Sequence, residues 1–181
     1  MIIQTNRLEL RTFEITDITE QYLSWLNDEM VTKYSNQRFA RHSYSSACGY
    51  LAGFENSQDE FLLISQKIDL APIGTATIYR SLPHRTADIG LMIGDRNVWG
   101  QGYGREAWQA ILETLLDEPS IRKVTGGTIE VNRSMVRIME STRMKIDGVR
   151  RDHELVDGQP VDLIHYACFS KKIDAVTFSQ P

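Results

Sequence analysis

Three glycines within five positions, Gly100, Gly102 and Gly104, separate two strongly patterned segments of the chain. Before them, Thr86 to Ile93 reads as a strand. After them, Ala107, Trp108, Ile111, Leu112 and Leu115 recur at helical spacing, which predicts an amphipathic helix over Tyr103 to Asp117. A strand that feeds a loop without side chains, and then a helix N-terminus, presents successive backbone N–H groups to an anion. The helix dipole adds about half a positive charge at that end. Glycine matters because a β-carbon holds the backbone away from phosphate oxygens. Two common phosphate motifs do not fit. A Walker A loop needs Gly-Lys-Ser/Thr, and the pattern G-x-G-x-x-G meets Arg105 or Ala107 where its last glycine belongs.

The flanking chain supplies a sheet and further helices. Leu8 to Phe13 alternates as a first strand, and Asp17, with Glu20 three residues on, is the expected cap of the next helix. That helix carries Ile18, Tyr22, Trp25, Leu26 and Met30 on its apolar face. A second helix is expected near Tyr44 to Phe54. Strands are expected at Glu60 to Gln66, Ile73 to Tyr79 and Lys123 to Val131, and a short helix over Asn132 to Arg143. Asp157-Gly158 reads as a type I′ turn joining two C-terminal strands. The order β-α-α-β-β-β-α-β-α-β-β predicts an α/β (α+β) fold with helices packed on a mixed sheet.

Composition narrows the class. The 181 residues suit one domain, 1–181, and 41% hydrophobic with 24% charged residues is ordinary for a globular chain. A net charge of −4 argues against a general nucleic-acid binder. No apolar run approaches the roughly 20 residues needed to cross a bilayer, and the N-terminus lacks a signal-peptide pattern. Cys48 and Cys168 are isolated, so no metal site or disulfide framework is expected, and the cytoplasm is the expected location.

Trp99-Gly-Gln-Gly-Tyr-Gly104 resembles the acetyl-CoA pyrophosphate loop of the GNAT superfamily of N-acetyltransferases, with Trp99 where Arg or Gln is usual. Thr5-Asn-Arg-Leu-Glu-Leu-Arg11, Ala87-Asp-Ile-Gly90 and Asn132-Arg-Ser-Met-Val-Arg-Ile-Met-Glu-Ser-Thr-Arg-Met144 are similar to segments of its ribosomal-protein N-terminal acetyltransferase branch. The likeness runs in matching order from about Thr5 to Phe169. It implies a mostly antiparallel sheet, splayed where acetyl-CoA lies, and acetyl transfer to a primary amine by direct attack in a ternary complex. The acceptor is expected to be a small molecule or peptide, and the protein a monomer or homodimer, with no nucleic-acid or membrane partner.

The resemblance also assigns residues. Backbone groups of Leu91, Met92 and Ile93 are implied to pair with the pantetheine arm, and amides of Gln101, Gly102, Tyr103, Gly104 and Arg105 to hold the pyrophosphate. Asn132 is implied to hydrogen-bond the pantetheine. Residues 133–151 carry six Lys/Arg against two acids, a local excess that suits an anionic cofactor. Asp88 is the first candidate base, fourteen residues before Gly102, the spacing at which histone-type members place a glutamate. Glu130 is a second, because alternation along its strand sets it near Asn132. His42 and His84 are loop histidines with a suitable pKa range, near about 6.5. The family's usual tyrosine is replaced by Met139 and the branch's serine by Met135, which leaves Ser134, one residue earlier and pointing differently on the helix, as the candidate hydroxyl for the thiolate, with water as the alternative.

For the acceptor, Tyr34, Arg38 and His42, with Arg151 and His153, form a polar set suited to a phosphorylated or carboxylated amine. Five acids and no Lys or Arg in residues 14–30 would instead draw a cationic amine. The missing tyrosine also leaves an alternative open, a non-catalytic acyl-CoA-binding regulatory module.

Overall fold

The computed structural model describes residues 2–171. β1 (Ile2–Gln4) and β2 (Leu8–Thr12) pair first, followed by α1 (Glu20–Leu26), α2 (Glu29–Thr32) and α3 (Tyr44–Ala52). β3 (Glu60–Gln66), β4 (Pro72–Ser81) and β5 (Thr86–Ile93) form an antiparallel meander. α4 (Tyr103–Asp117), β6 (Lys123–Ile129) and α5 (Arg133–Ser141) lead into a hairpin of β7 (Lys145–Val156) and β8 (Gln159–Phe169). The expected order is present with β1 and α2 added, elements of three and four residues too short to show a period. Asp157 and Gly158 both take positive φ, 51° and 77°, as a type I′ turn requires.

The described strands lie as β1-β2-β3-β4-β5-β6-β8-β7 in one sheet. Every neighbouring pair among them is antiparallel except β5 with β6. The apolar stripe of α4 (Ala107, Trp108, Ile111, Leu112, Leu115) packs on one face, against Leu8, Leu10, Ile73, Ala87, Ile89 and Val124. The other face carries Phe61, Leu63 and Met92, covered by Ile18, Tyr22, Trp25 and Leu26 from the first helical region. Phe13 and Phe61 stack there with ring centroids 4.4 Å apart.

The first helical region differs from its sequence pattern. It breaks after Leu26 into a second short helix, and Met30 is left 50% exposed. Its cap is Thr19, whose side chain accepts from the Tyr22 N–H at 3.2 Å, while Asp17 is drawn away by Arg11 at 2.7 Å. Thr19→Ala is expected to cost about 1 kcal/mol and lower Tm by roughly 2–4 °C, measured by thermal unfolding.

β5 and β6 are in register only over Thr86↔Lys123, Ala87↔Val124 and Asp88↔Thr125. Beyond that point both strands continue, β5 to Ile93 and β6 to Ile129, without facing each other. The sheet therefore opens in a V.

Candidate active site

The walls of the V carry unspent backbone polarity. Gly94 N–H donates to Ile73 O at 2.9 Å. In the antiparallel alternation Met92, Gly90 and Asp88 then bond back to β4, and Ile93 and Leu91 turn their backbone groups toward the opening, while Ile89 flanks the last bridge to β6. On the other wall Glu130 N–H donates to Asp162 O at 2.9 Å, so the same alternation turns Gly127 and Ile129 inward. Trp99 Nε1 already donates to Ile93 O at 2.8 Å. Leu91, between them, presents both its N–H and its C=O to the gap.

The glycine loop sits at the mouth of this V. Gly100 and Gly102 have φ of 76° and 83°, a region that only glycine enters without strain. The first helical bond of α4 is Glu106 N–H to Gly102 O at 3.0 Å. The N–H groups of Tyr103, Gly104 and Arg105 are thus the uncapped first turn of the helix. Gln101 is oriented differently, its N–H donating to Val98 O at 3.4 Å and its Nε2 to Asn97 O at 2.9 Å.

A brace from the N-terminus holds the loop in place. Glu106 accepts from Thr5 Oγ1 at 2.6 Å, Arg7 N–H at 2.9 Å and Arg7 Nε at 2.6 Å. Arg7 Nη1 donates to Gln101 O at 3.0 Å, and the guanidinium lies 4.2 Å from the centre of the Tyr103 ring. Tyr103 Oη in turn donates to Gln66 Oε1 at 2.9 Å. Partial burial pushes the Glu106 carboxyl up, but the bonds from Thr5 and Arg7 outweigh it and hold it below the ordinary carboxylate range.

From the loop a cleft of about 1010 Å³ runs between α5 and the α2–α3 region. It gathers most of the residues assigned from sequence: Leu91, Met92, Ile93, Gly102, Tyr103, Gly104, Arg105, Asn132, Ser134, Tyr34 and His42 all line it. Asn132 caps α5, Oδ1 accepting from Met135 N–H at 3.3 Å, and its Nδ2 donates to Thr128 Oγ1 at 3.1 Å. Asp88 stands at the vertex of the V, exposed, with Oδ2 accepting from Thr125 Oγ1 at 2.6 Å. Glu130 is half-buried just past the end of β6. Neither carboxylate lines the cleft, and nor does Gln101.

At the far end Arg38 and Arg151 are engaged elsewhere. Arg38 donates to Ser35 O at 2.8 Å and Leu155 O at 3.1 Å, tying its loop to the β7–β8 hairpin. Arg151 pairs with Asp162 across that hairpin. The cations that do line the cleft here, Lys33 and Arg41, had no distinguishing signal in a polar connector. The basic run at 133–151 contributes no cation to the lining, and the acids of 14–30 contribute no carboxylate.

Two tyrosines in the lining are held in the neutral, protonated form. Burial pushes the Tyr22 hydroxyl up to about 12, and burial with a 2.9 Å bond to Tyr79 Oη pushes Tyr50 higher still. His165, opposite Gly127 in register, has a buried Nε2 that makes no hydrogen bond among the described residues. Its strand position gave no warning of this, because alternation does not reveal an unpaired nitrogen.

Comparison with known proteins agrees with this architecture. The model of the acetyltransferase (GNAT) domain matches residues 7–145. An uncharacterized N-acetyltransferase, YnaD, of Bacillus subtilis (strain 168) is 28% identical over 148 residues, 82% of this chain and 85% of that protein. The GNAT-family acetyltransferase from Bacillus anthracis superposes with a TM-score of 0.80 at 20% identity, covering 94% of this chain and 99% of that one. Spermidine N-acetyltransferase from Vibrio cholerae, solved with CoA and spermine, gives 0.82 at 16% identity over 93% and 98%. A ribosomal L7/L12 α-N-protein acetyltransferase in complex with coenzyme A gives 0.80 at 16% identity over the same shares. The fold and the loop define an acyl-CoA-dependent acyltransferase. The chain belongs to the GNAT family of acetyltransferases, with acetyl-CoA as cosubstrate. Among the described residues no helix is long and apolar enough to cross a membrane.

Proposed function

We propose that the chain acetylates the primary amine of a small molecule or peptide, by direct attack on acetyl-CoA held in the V between β5 and β6. The observation that carries this reading is the divergence of the two backbone edges past Asp88 and Thr125, with Leu91 on one and Gly127 and Ile129 on the other, which leads from the glycine loop into the cleft. An extended arm bearing amides finds there the partners that a neighbouring strand would otherwise supply. The N–H groups of residues 102–105 fit a pyrophosphate, since the glycines leave the loop backbone open to close approach.

Acetyl-CoA supplies an activated thioester. The amine nitrogen forms the new C–N bond, the C–S bond breaks, the nitrogen loses a proton and the thiolate gains one. In this reading the β5 edge steadies the carbonyl oxygen as charge develops, through an N–H fixed before reaction. The cleft walls hold the amine against the carbonyl, which removes much of the entropic barrier. Asp88 receives the amine proton through water at the vertex, with Glu130 the second carboxylate in reach of α5. Ser134, on the first turn of α5, is the hydroxyl offered to the departing sulfur, and solvent serves the same end because a thiol's pKa is only about 8.5.

The fold neighbours act on acceptors as different as a ribosomal protein and spermidine, so the fold alone does not choose among them. CoA release, with the acetylated amine identified by mass spectrometry, tests the reading across peptides, polyamines and amino sugars. The expected result is one acetylated amine per CoA released. Tight acetyl-CoA binding with no transfer to any amine favours the regulatory module. Asp88→Asn is expected to lower kcat by about tenfold or more, and an unchanged rate and pH profile removes Asp88 as base.

A further inference from the structure

The cleft walls contain no aspartate or glutamate among the described residues. Their charged side chains are Lys33 and Arg41, from the connector between α2 and α3, and Arg105 on the first turn of α4, with His42 beside them. Two nearby acids, Asp28 beside α2 and Glu154 facing the connector, are spent elsewhere. Asp28 caps α2 and pairs with Arg96 at 3.3 Å, and Glu154 faces Arg38 at 3.8 Å. Lys33 rests 5.3 Å from the centre of the Tyr34 ring, and neither it nor Arg41 makes an ion pair among the described residues.

We infer that the acceptor carries a phosphate or carboxylate beside its reacting amine, and that Lys33 and Arg41 bind that group; this rests on the transferase reading above. A cationic wall repels a polyamine and attracts an anion. It also disfavours an ammonium next to it, so a bound amine loses its proton more readily and reaches the thioester as the neutral nucleophile. Attraction of the acidic group and activation of the amine thus come from the same side chains. Arg105 stands apart from this pair, on the helix that carries the phosphate loop.

The test compares amines that differ in the acidic group: phosphoethanolamine against ethanolamine, γ-aminobutyrate against butylamine, with spermidine as the polycation. Each is assayed at saturating acetyl-CoA with the wild type and with the Lys33→Met/Arg41→Met double variant. The wild type is expected to favour at least one acidic amine over its neutral partner by about tenfold or more in kcat/KM. The double variant is expected to lose that preference while KM for acetyl-CoA stays within about twofold. Equal or better turnover of the neutral amines or of spermidine overturns the inference. So does acetyl-CoA binding with no transfer to either acidic amine. A rise confined to KM for acetyl-CoA in the double variant overturns it too, by assigning the two cations to the phosphates of CoA. Failure of the wild type to bind acetyl-CoA at all is a separate outcome, which overturns the transferase reading itself.

Discussion

Gly104→Val is expected to raise the Kd for acetyl-CoA about 100-fold, some 2.7 kcal/mol, and to cost about 1–3 kcal/mol of stability. A β-carbon at this position stands 3.3 Å from Ile138 Cδ1, 3.4 Å from Ile93 Cγ1 and 3.7 Å from Leu91 Cδ2. Those side chains belong to α5 and to the open edge of β5, so residue 104 looks into the throat between them. Alanine meets tight contacts there, which the flexible end of Ile138 can relieve. Valine adds two methyl groups that have no room unless the throat narrows, and overpacking of this kind costs about 1–3 kcal/mol. The helix itself tolerates the change, because glycine is a poor helix former and position 104 lies in the first turn. Isothermal titration with acetyl-CoA and a thermal melt separate the two effects. A valine variant that binds as tightly as the wild type would show that nothing passes this point.

Glu106→Ala is expected to lower stability by about 2 kcal/mol and to weaken acetyl-CoA binding, because one carboxylate receives three bonds from Thr5 and Arg7. The Glu106 side chain is 19% exposed, so water replaces these bonds poorly. Removing it also releases Arg7, which steadies the loop through Gln101 O. A Tm lower by roughly 4–8 °C is expected. The sign of the pH dependence follows from the lowered pKa. The stabilisation is complete above the unfolded value near 4.5 and is lost as pH falls through the lower folded value. Wild type and Glu106→Gln melts are therefore expected to converge at acid pH. A purely structural brace would lower Tm and leave KM for acetyl-CoA unchanged, whereas a loop-positioning brace raises KM as well.

Much of this arrangement is legible in the residues. Thr86–Ile93 and Tyr103–Asp117 have strong periods, and their observed bounds match those read from pattern. The glycine loop needed no structure to be singled out, since its spacing serves a backbone purpose. What pattern cannot carry is pairing between distant residues. Arg7 and Glu106 lie 99 positions apart, and nothing in either segment announces the other. Arg38 and Arg151 read as acceptor ligands because loop arginines look alike in sequence. Their carbonyl and carboxylate partners on the β7–β8 hairpin decide otherwise where they point. The acids of 14–30 show the same limit from the other side, for Asp17 and Asp28 are occupied by Arg11 and Arg96. Net local charge therefore misjudges the cleft, whose lining among the described residues has cations and no carboxylates.

Residue-resolved amide hydrogen exchange, with and without acetyl-CoA, tests the placement of the cosubstrate most directly. The Leu91 amide, which faces the opening, and the amides of residues 103–105 should gain strong protection on binding. Met92, whose backbone bonds back to β4, should change little. Protection confined to other parts of the chain, with Leu91 and the loop exchanging as before, would contradict an acetyl-CoA site between β5 and β6.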